Sequence, residues 1–256
     1  MPDIVVHAHM GAEVYERLGL TADRDIFAFG LLGPDPYLFY RFFIPPFIHR
    51  VNRYSSVMHR EHTGDFLTEL ALRSRHDPEV FAYLAGFLCH YALDSSAHPY
   101  INRKAKNDIA VHIAIEHRLD RLDGGALRIP PFLPERLKPA VGGAITKIYG
   151  WQDAWDRLKD GHRHMAPFYH MITHETDILN RILYHSHTRA ALLTYQSTAV
   201  DDLDLRGFYP LYHRAVDRGV VYIKAAQDFV SGSIDEAELR RIIGSRSYID
   251  GKETAR

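Results

Sequence analysis

The stretch Asp77–Tyr100, DPEVFAYLAGFLCHYALDSSAHPY, predicts a long and largely uncharged helix near the middle of the chain. Asp77 followed by Pro78 is typical of a helix start, because Asp caps the first turn and Pro lacks an N–H that would need a partner. We expect this helix to end near Ala97–His98, since Pro99 disfavours the helical conformation of the residue before it. A buried helix of this kind predicts a helical core around it.

Polar side chains interrupt the apolar run at regular spacing. His90, Asp94 and His98 are each four residues apart, which places all three on one helix face. An unpaired carboxylate buried at Asp94 would be costly, and a metal ion would remove that cost. The alternative is that His90 is an ordinary core histidine and that Asp94 bonds to backbone in the last turn.

A second pair follows in VHIAIEHRLD, where His112 and Glu116 are again four residues apart. On their own they would be an ordinary polar pair on a helix. Together with His98 they form a set of two histidines and one carboxylate, which suits a zinc ion with an open position. Asp120, one turn further on, either orients a ligand or is a surface carboxylate.

Composition narrows the function classes. The 256 residues include 31 Lys and Arg against 32 Asp and Glu, so binding driven by phosphate neutralisation is disfavoured and no stable nucleic-acid partner is expected. The single cysteine, Cys89, excludes a disulfide framework and a cysteine-based zinc finger. Seventeen histidines are unusual, and histidine is the commonest metal ligand.

Helical patterns recur along the chain, whereas strand patterns are weak. We therefore predict an all-α, multi-helix single domain over residues 1–256, with the metal site in about 1–123 and a helical C-terminal half in about 140–245. The tail, Gly244–Arg256, is expected to be frayed. The other predicted helices are Gly11–Leu18, Ser55–Ser74, Ile109–Leu122, Ala144–Leu158, Ile172–Tyr184, Ala190–Tyr195, Leu211–Phe229 and Ile234–Ile243.

Neither the start of the sequence nor its apolar runs predict export or membrane insertion. The opening residues, MPDIVVHAHMGAEVYERL, have no basic region and no apolar region of the secretory type. The uncharged stretch Val80–Leu93 is too short to span a bilayer as a helix. We expect a cytoplasmic protein with no transmembrane segment.

Three further segments offer candidate ligands. His7 and His9 lie near the start and would otherwise be surface histidines. Asp35 lies in the GPDP turn of LLGPDPYLF, where it is either a rigidly projecting carboxylate or a plain turn former. His59 and His62 in SSVMHREHTGDFL are three residues apart, with a surface helix as the alternative.

In this order, His7, GPDP, MHREHTGDF, GFLCHYALDSSAHPYI and HIAIEH resemble the zinc-dependent phospholipase C family over about residues 1–123. The resemblance implies an all-helical domain of the phospholipase C and nuclease type with a buried cluster of up to three Zn²⁺ ions. The matched Asp35 is also a candidate general base. The implied ligands are His59, His90, Asp94 and Asp35 for one zinc, His7 and the bridging Asp94 for a second, and His98, His112 and Glu116 for a third.

The same resemblance implies a zinc-dependent phosphoric diester hydrolase. Zinc-activated water would cleave a phospholipid or a related small phosphodiester. Secreted members use the amino group of an N-terminal Trp as a ligand, whereas here Met1 precedes His7 by six residues, so the zinc on the His7 side is expected to be weak or missing. The C-terminal half has no signal for a lipid-binding β-sandwich.

Two other functions remain open at this point. A nuclease or nucleotide phosphohydrolase could use the same cluster, and a non-catalytic metal-binding protein could retain the ligands. The aromatic segment YLFYRFFIPPFIHR, residues 37–50, either packs on the core or lines an acyl-chain site, with peripheral membrane contact as one outcome. The later histidines have no family match and are expected to be core or solvent-facing; they are His162, His164, His170 and His174.

Overall fold

The protein is all-α over the residues that the computed structural model describes, which are 4–41, 50–123, 132–174, 200 and 202–254. Within these residues no strand forms, and Arg246 and Glu253 make one isolated β-bridge. A 3₁₀ turn at Glu135–Leu137 and a π turn at Lys138–Gly142 precede the helix Gly143–Tyr149. The α-helices are α1 Ile4–Leu18, α2 Arg24–Leu31, α3 Pro36–Phe39, α4 Asn52–Met58, α5 Thr63–Ser74, α6 Pro78–Ala105, α7 Ile109–Asp123, α8 Gly143–Tyr149, α9 Ala154–His174, α10 Phe208–Val230 and α11 Glu236–Ile243.

Helix α6 is the buried axis of the fold. The Asp77 carboxylate caps it as predicted, accepting hydrogen bonds from two N–H groups of the first turn. The predicted end near Ala97–His98 is wrong, because α6 continues past Pro99 to Ala105. Pro99 removes the helical donor to the Ser95 carbonyl, but α1, α2, α5, α7 and α10 pack around α6 and stabilise the helix across this gap.

Helix α2, which the sequence reading missed, crosses α6 at a pair of glycines. A Cβ atom at Gly30 would collide with the Tyr83 carbonyl, and one at Gly86 would collide with the backbone of α2. Only glycine allows the two backbones to approach this closely. The crossing places the Leu31 carbonyl of α2 beside the His90 ring of α6.

Two predicted helices are each interrupted. The segment Ser55–Ser74 forms α4 and α5, separated by the turn His59–His62, in which His62 has a positive φ of 52°. The segment Ala144–Leu158 forms α8 and the start of α9, separated at Gly150, whose φ is 75°. Gly150 is the left-handed C-cap of α8, and the left-handed His62 is the N-cap of α5; in both places the chain leaves the helix that apolar spacing alone would have continued.

Helices α7, α10 and α11 agree with the patterns, whereas α1 begins at Ile4, before the predicted start at Gly11, and α3 was not predicted. Leu211–Phe229 and Ile234–Ile243 correspond to α10 and α11, and the hydrophobic core contains residues from both halves of the chain. For Ile172–Tyr184 only the first residues are described, at the end of α9, and Ala190–Tyr195 lies outside the described residues. Among the described helices, none has the length and apolar character needed to cross a bilayer.

The C-terminal residues differ most from expectation. Gly244–Thr254 is not frayed: Tyr248 is 1% exposed, and its backbone bonds to His59 and His98. The reason is that the segment fills the groove beside α6, so its ordering is offset by burial. Residues 255–256 lie outside the described part of the chain.

Candidate metal centre

All eight predicted ligand residues lie buried in one region of the interior. They come from the start of α1, the turn before α3, the end of α4 and facing positions on α6 and α7. The first cluster consists of His7, Asp35, His59, His90 and Asp94. The second cluster consists of His98, His112 and Glu116.

Asp94 is the centre of the first cluster. Its Oδ1 lies 3.2 Å from His7 Nε2, and its Oδ2 lies 3.2 Å from His90 Nε2 and 3.4 Å from His59 Nε2. The two oxygens thus face different histidines. This is the geometry expected of a carboxylate shared between two cations.

Asp35 completes the first cluster from the turn before α3, with Oδ1 3.4 Å from His59 Nε2. Burial would raise the pKa of Asp35, but the nearby His59 and His90 outweigh it and hold that pKa below its usual value. Burial likewise opposes protonation of His59, yet Asp35 and Asp94 raise the pKa of His59 to about 9. The cluster therefore attracts a positive charge to its centre.

Backbone carbonyls orient two rings of the first cluster. His59 Nδ1 lies 2.7 Å from the Ser55 carbonyl oxygen, and His90 Nδ1 lies 3.0 Å from that of Leu31. A carbonyl oxygen only accepts, so each Nδ1 carries the proton, and in the neutral ring Nε2 presents its lone pair to the cluster. This is the arrangement of histidines that ligate metals.

His7 is held differently. Its ring stacks on His90 with centroids 4.4 Å apart, and neither of its nitrogens makes a hydrogen bond. The position of α1 is set by Asp120 of α7, whose carboxylate accepts from the backbone N–H groups of Val5 and Val6 at 3.1 and 3.0 Å. Asp120 thus positions the helix that carries His7.

The second cluster has both rings turned toward one carboxylate. Glu116 Oε1 lies 3.3 Å from His98 Nε2 and 2.7 Å from His112 Nε2. His98 donates from Nδ1 to the Tyr248 carbonyl at 2.8 Å, and His112 donates from Nδ1 to Asn102 Oδ1 at 2.8 Å. Sequence reasoning missed Tyr248 and Asn102, because neither belongs to a spacing pattern and Tyr248 acts through its backbone.

The spacing of these donors fits a metal ion. Ligand atoms at zinc–ligand distances of 2.0–2.1 Å around a tetrahedral ion are about 3.3 Å apart. Most contacts within the two clusters are 3.2–3.4 Å, and only the His112–Glu116 contact is shorter. Imidazole nitrogens with carboxylate oxygens are a donor set that zinc accepts.

Buried polar atoms without a hydrogen-bond partner also indicate bound cations. His90 Nε2, Asp35 Oδ1 and both oxygens of Asp94 have no hydrogen-bond partner. Unsatisfied polar atoms in the interior cost free energy, and a bound cation would satisfy all of them at once. Three side-chain groups could each hold an ion, namely His7, His90 and Asp94; Asp35, His59 and His90; and His98, His112 and Glu116.

The weaker candidates lie apart from the centre. His62 is 46% exposed and lies 3.2 Å from Asp65, and no group of possible ligands among the described residues includes His9 or His62. In the aromatic segment 37–50, Tyr37 and Phe39 are buried in the core, which favours the packing interpretation there, and residues 42–49 lie outside the described part.

His162 and His164 do not join the clusters. His162 is buried against Phe29, and burial lowers its pKa to about 4. His164 lies 3.8 Å from Asp160. The side chains of His170 and His174 lie outside the described residues.

Comparison with known proteins bears on what this centre is. The model of one family, described as zinc dependent phospholipase C, matches residues 6–145, which is more than half of the chain. The chain belongs to the zinc-dependent phospholipase C family. The family match contains both clusters and extends beyond the resemblance read from the sequence, through α7 into α8. No curated protein and no solved structure matches the chain.

Proposed function

We propose that the protein is a zinc-dependent phosphodiester hydrolase of the phospholipase C type. The observation that carries the proposal is the Asp94 carboxylate, fully buried, with its two oxygens directed at His7 on one side and at His59 and His90 on the other. A protein would rarely bury such a group without a cation to neutralise it. Membership of the family supports zinc as that cation.

The two clusters supply ligands for up to three ions. In each case the Nε2 atoms and the carboxylate oxygens face inward. We assign His59, His90, Asp35 and Asp94 to one zinc, His7 with Asp94 to a second, and His98, His112 and Glu116 to a third.

Zinc, when bound, activates a water at neutral pH and offsets the negative charge that develops on a phosphate. Asp35 is suited to orient that water, because its depressed pKa keeps it ionised and able to accept a hydrogen bond. The water oxygen would form a bond to phosphorus as the bond to the leaving alcohol breaks. Asp35 would accept the proton of the water and pass it on to the leaving alcohol, so that no proton is gained or lost overall.

A phospholipid or another small phosphodiester is the proposed substrate. Cleavage on the glycerol side of a phospholipid gives diacylglycerol and a phosphorylated head group. The near-zero net charge offers no general attraction for a polyanion, which favours a small substrate over a nucleic acid.

Metal analysis tests whether the protein binds zinc. Protein purified after expression with zinc should hold up to three zinc ions per chain by elemental analysis. A protein that binds no zinc under these conditions contradicts the proposal. His162→Leu is the matched control, because it removes a buried histidine that lies outside the clusters, and it should retain the zinc content.

A substrate panel tests which phosphodiesters the zinc-loaded protein hydrolyses. We expect the zinc-loaded protein to hydrolyse p-nitrophenyl phosphorylcholine and lecithin faster than bis-p-nitrophenyl phosphate or single-stranded DNA. Preferential cleavage of the DNA would replace the proposal with a nuclease. Zinc binding without turnover of any of the four would identify a non-catalytic metal-binding protein.

A further inference from the structure

The second cluster is oriented by residues far along the chain from its ligands. We propose that the segment Gly244–Thr254 is a positioning element for zinc at His98, His112 and Glu116, acting through Tyr248 directly and through Asn102 as a relay. The inference rests on the proposed function in one respect only, that the second cluster holds a metal.

The direct contact is the hydrogen bond from His98 Nδ1 to the Tyr248 carbonyl oxygen, at 2.8 Å. Both groups are buried. The bond fixes the proton on Nδ1 and the orientation of the ring, and it leaves Nε2 directed at Glu116 3.3 Å away. Tyr248 supplies this acceptor from its backbone, so the position of the segment matters more than its side chains.

The relay runs through Asn102, which follows His98 by one helical turn on α6. Its Nδ2 donates to the Ile249 carbonyl at 2.9 Å, and its Oδ1 accepts from His112 Nδ1 at 2.8 Å. The first bond fixes which way the amide points, since only Nδ2 can donate to a carbonyl. Neighbouring carbonyls at positions 248 and 249 thus set the orientation of both imidazoles.

The same segment also reaches the first cluster. The Tyr248 N–H donates to the His59 carbonyl at 2.7 Å, and the Tyr248 ring packs on those of His59 and His90 with centroids 5.1 and 5.8 Å apart. Displacing the segment would therefore disturb the backbone of one cluster and the ligand rings of the other. The direct bonds to ligand nitrogens, however, are all in the second cluster.

Specific contacts hold the segment against the helices. The Arg246 N–H donates to Tyr91 Oη at 3.0 Å. Gly251 has a φ of +67°, and a Cβ atom there would lie 2.7 Å from the Ser95 carbonyl oxygen. Gly251 is thus required both for the turn and for the close approach to α6.

Substitution of Asn102 tests the relay. Asn102→Leu removes the acceptor for His112, and we expect it to weaken zinc at the second cluster by about 10–100-fold. Asn102→Asp keeps the acceptor for His112 but loses the donor to the Ile249 carbonyl, so it should weaken the same zinc step by less than Asn102→Leu does. Chelator competition measures the zinc affinities, and the binding step that is missing in Glu116→Gln identifies the second cluster.

Substitution of Gly251 tests the segment itself. Gly251→Ala should lift the segment from Ser95 and weaken the same zinc step, with a changed visible spectrum of the cobalt-substituted protein. Gly232→Ala is the matched control, because Gly232 has a φ of +81° with open space around it, so it imposes backbone strain without moving the segment. The control should lower thermal stability yet leave the cobalt spectrum unchanged.

The outcomes separate this inference from the proposed function. A wild-type protein that binds no zinc overturns both. A wild-type protein that binds zinc, with unchanged affinity in both Asn102→Leu and Gly251→Ala, overturns the positioning role alone. Equal weakening by Asn102→Leu and Asn102→Asp would also overturn the relay, because the acceptor would then not matter.

Discussion

The two clusters contain the same kinds of donor but hold them in different ways. In the first cluster, His59 bonds to a carbonyl one turn earlier in its own helix, and His90 bonds to Leu31 where α2 crosses α6. In the second, His98 and His112 are oriented through residues near the other end of the sequence. Carbonyl groups of α2 and α4 orient these rings of the first cluster, whereas the rings of the second cluster depend on the C-terminal segment.

The clusters also share an element that couples them. His90, Asp94 and His98 lie on successive turns of α6, and Asp94 Oδ2 is 3.7 Å from His98 Nδ1. A change at Asp94 should therefore affect the first cluster most and the second cluster indirectly. Variants at the two clusters test this difference.

The largest expected effect is that of Asp94→Asn. An amide offers one oxygen and no charge in place of two anionic oxygens, so both ions of the first cluster lose a ligand. We expect phosphodiesterase activity to fall by about a thousandfold or more, with loss of zinc from the first cluster in elemental analysis. Retention of full activity would show that Asp94 does not hold the ions.

Glu116→Gln is the matched change in the second cluster. It makes the same loss of charge at a residue that faces His98 and His112 of the second cluster. Elemental analysis should show the loss of one zinc per chain with the remaining zinc retained. If both variants lost the same ions, the division into two clusters would be wrong.

Part of the proposed ligand set could be read from the sequence because its pattern is local. The four-residue spacing of His90, Asp94 and His98 depends only on helix geometry, and α6 provides it. His7, Asp35 and His59 were only weak candidates from their own segments, and the family resemblance joined them to the others, since no single spacing connects them. The structure brings these residues together with the others.

The features that sequence reasoning missed depend on the backbone and on tertiary packing. Pro99 predicts a helix end from local sterics, but neighbouring helices hold α6 through it. Tyr248 acts through its backbone carbonyl and N–H groups. Every non-proline residue has these groups, so no side-chain pattern predicts the role of Tyr248. Such contacts depend on where the segment packs in the fold, and the spacing of apolar residues does not predict that position.

The next prediction concerns pH and is of intermediate size. In the metal-free protein the pKa of His59 is raised to about 9, although burial opposes this, because Asp35 and Asp94 lie next to it. A proton must therefore leave His59 when zinc binds at neutral pH. Burial, which outweighs Asp94 and Glu116, instead lowers the pKa of His98, so that ring is already neutral.

Zinc affinity of the first cluster should thus rise by up to about tenfold per pH unit between pH 7 and pH 9, and level off above the His59 pKa. The contribution of His98 to the second cluster should be flat over this range. Titration calorimetry in two buffers of different ionisation enthalpy, on Glu116→Gln, counts the protons released by the first cluster. Release of no proton at pH 7.5 would contradict the raised pKa.

The smallest expected effect is at His7, whose ring nitrogens make no hydrogen bond and which depends on the placement of α1. Asp120→Ala removes the carboxylate that accepts from Val5 and Val6, so α1 should shift and the zinc nearest His7 should be held about tenfold less tightly. Chelator competition measures this step.

Asp108→Ala provides the control for this last prediction, because Asp108 also accepts from a backbone N–H, that of Val111, but at the exposed start of α7. Both variants lose a carboxylate that pairs with the end of a helix, so their losses of thermal stability should be comparable. Only Asp120→Ala should weaken a zinc site. Asp120 joins α7, which carries ligands of the second cluster, to α1, which carries His7 of the first cluster. Asp108 instead bonds to the first turn of α7 itself. Equal zinc affinity in the two variants would mean that His7 is held by its stacking on His90 alone.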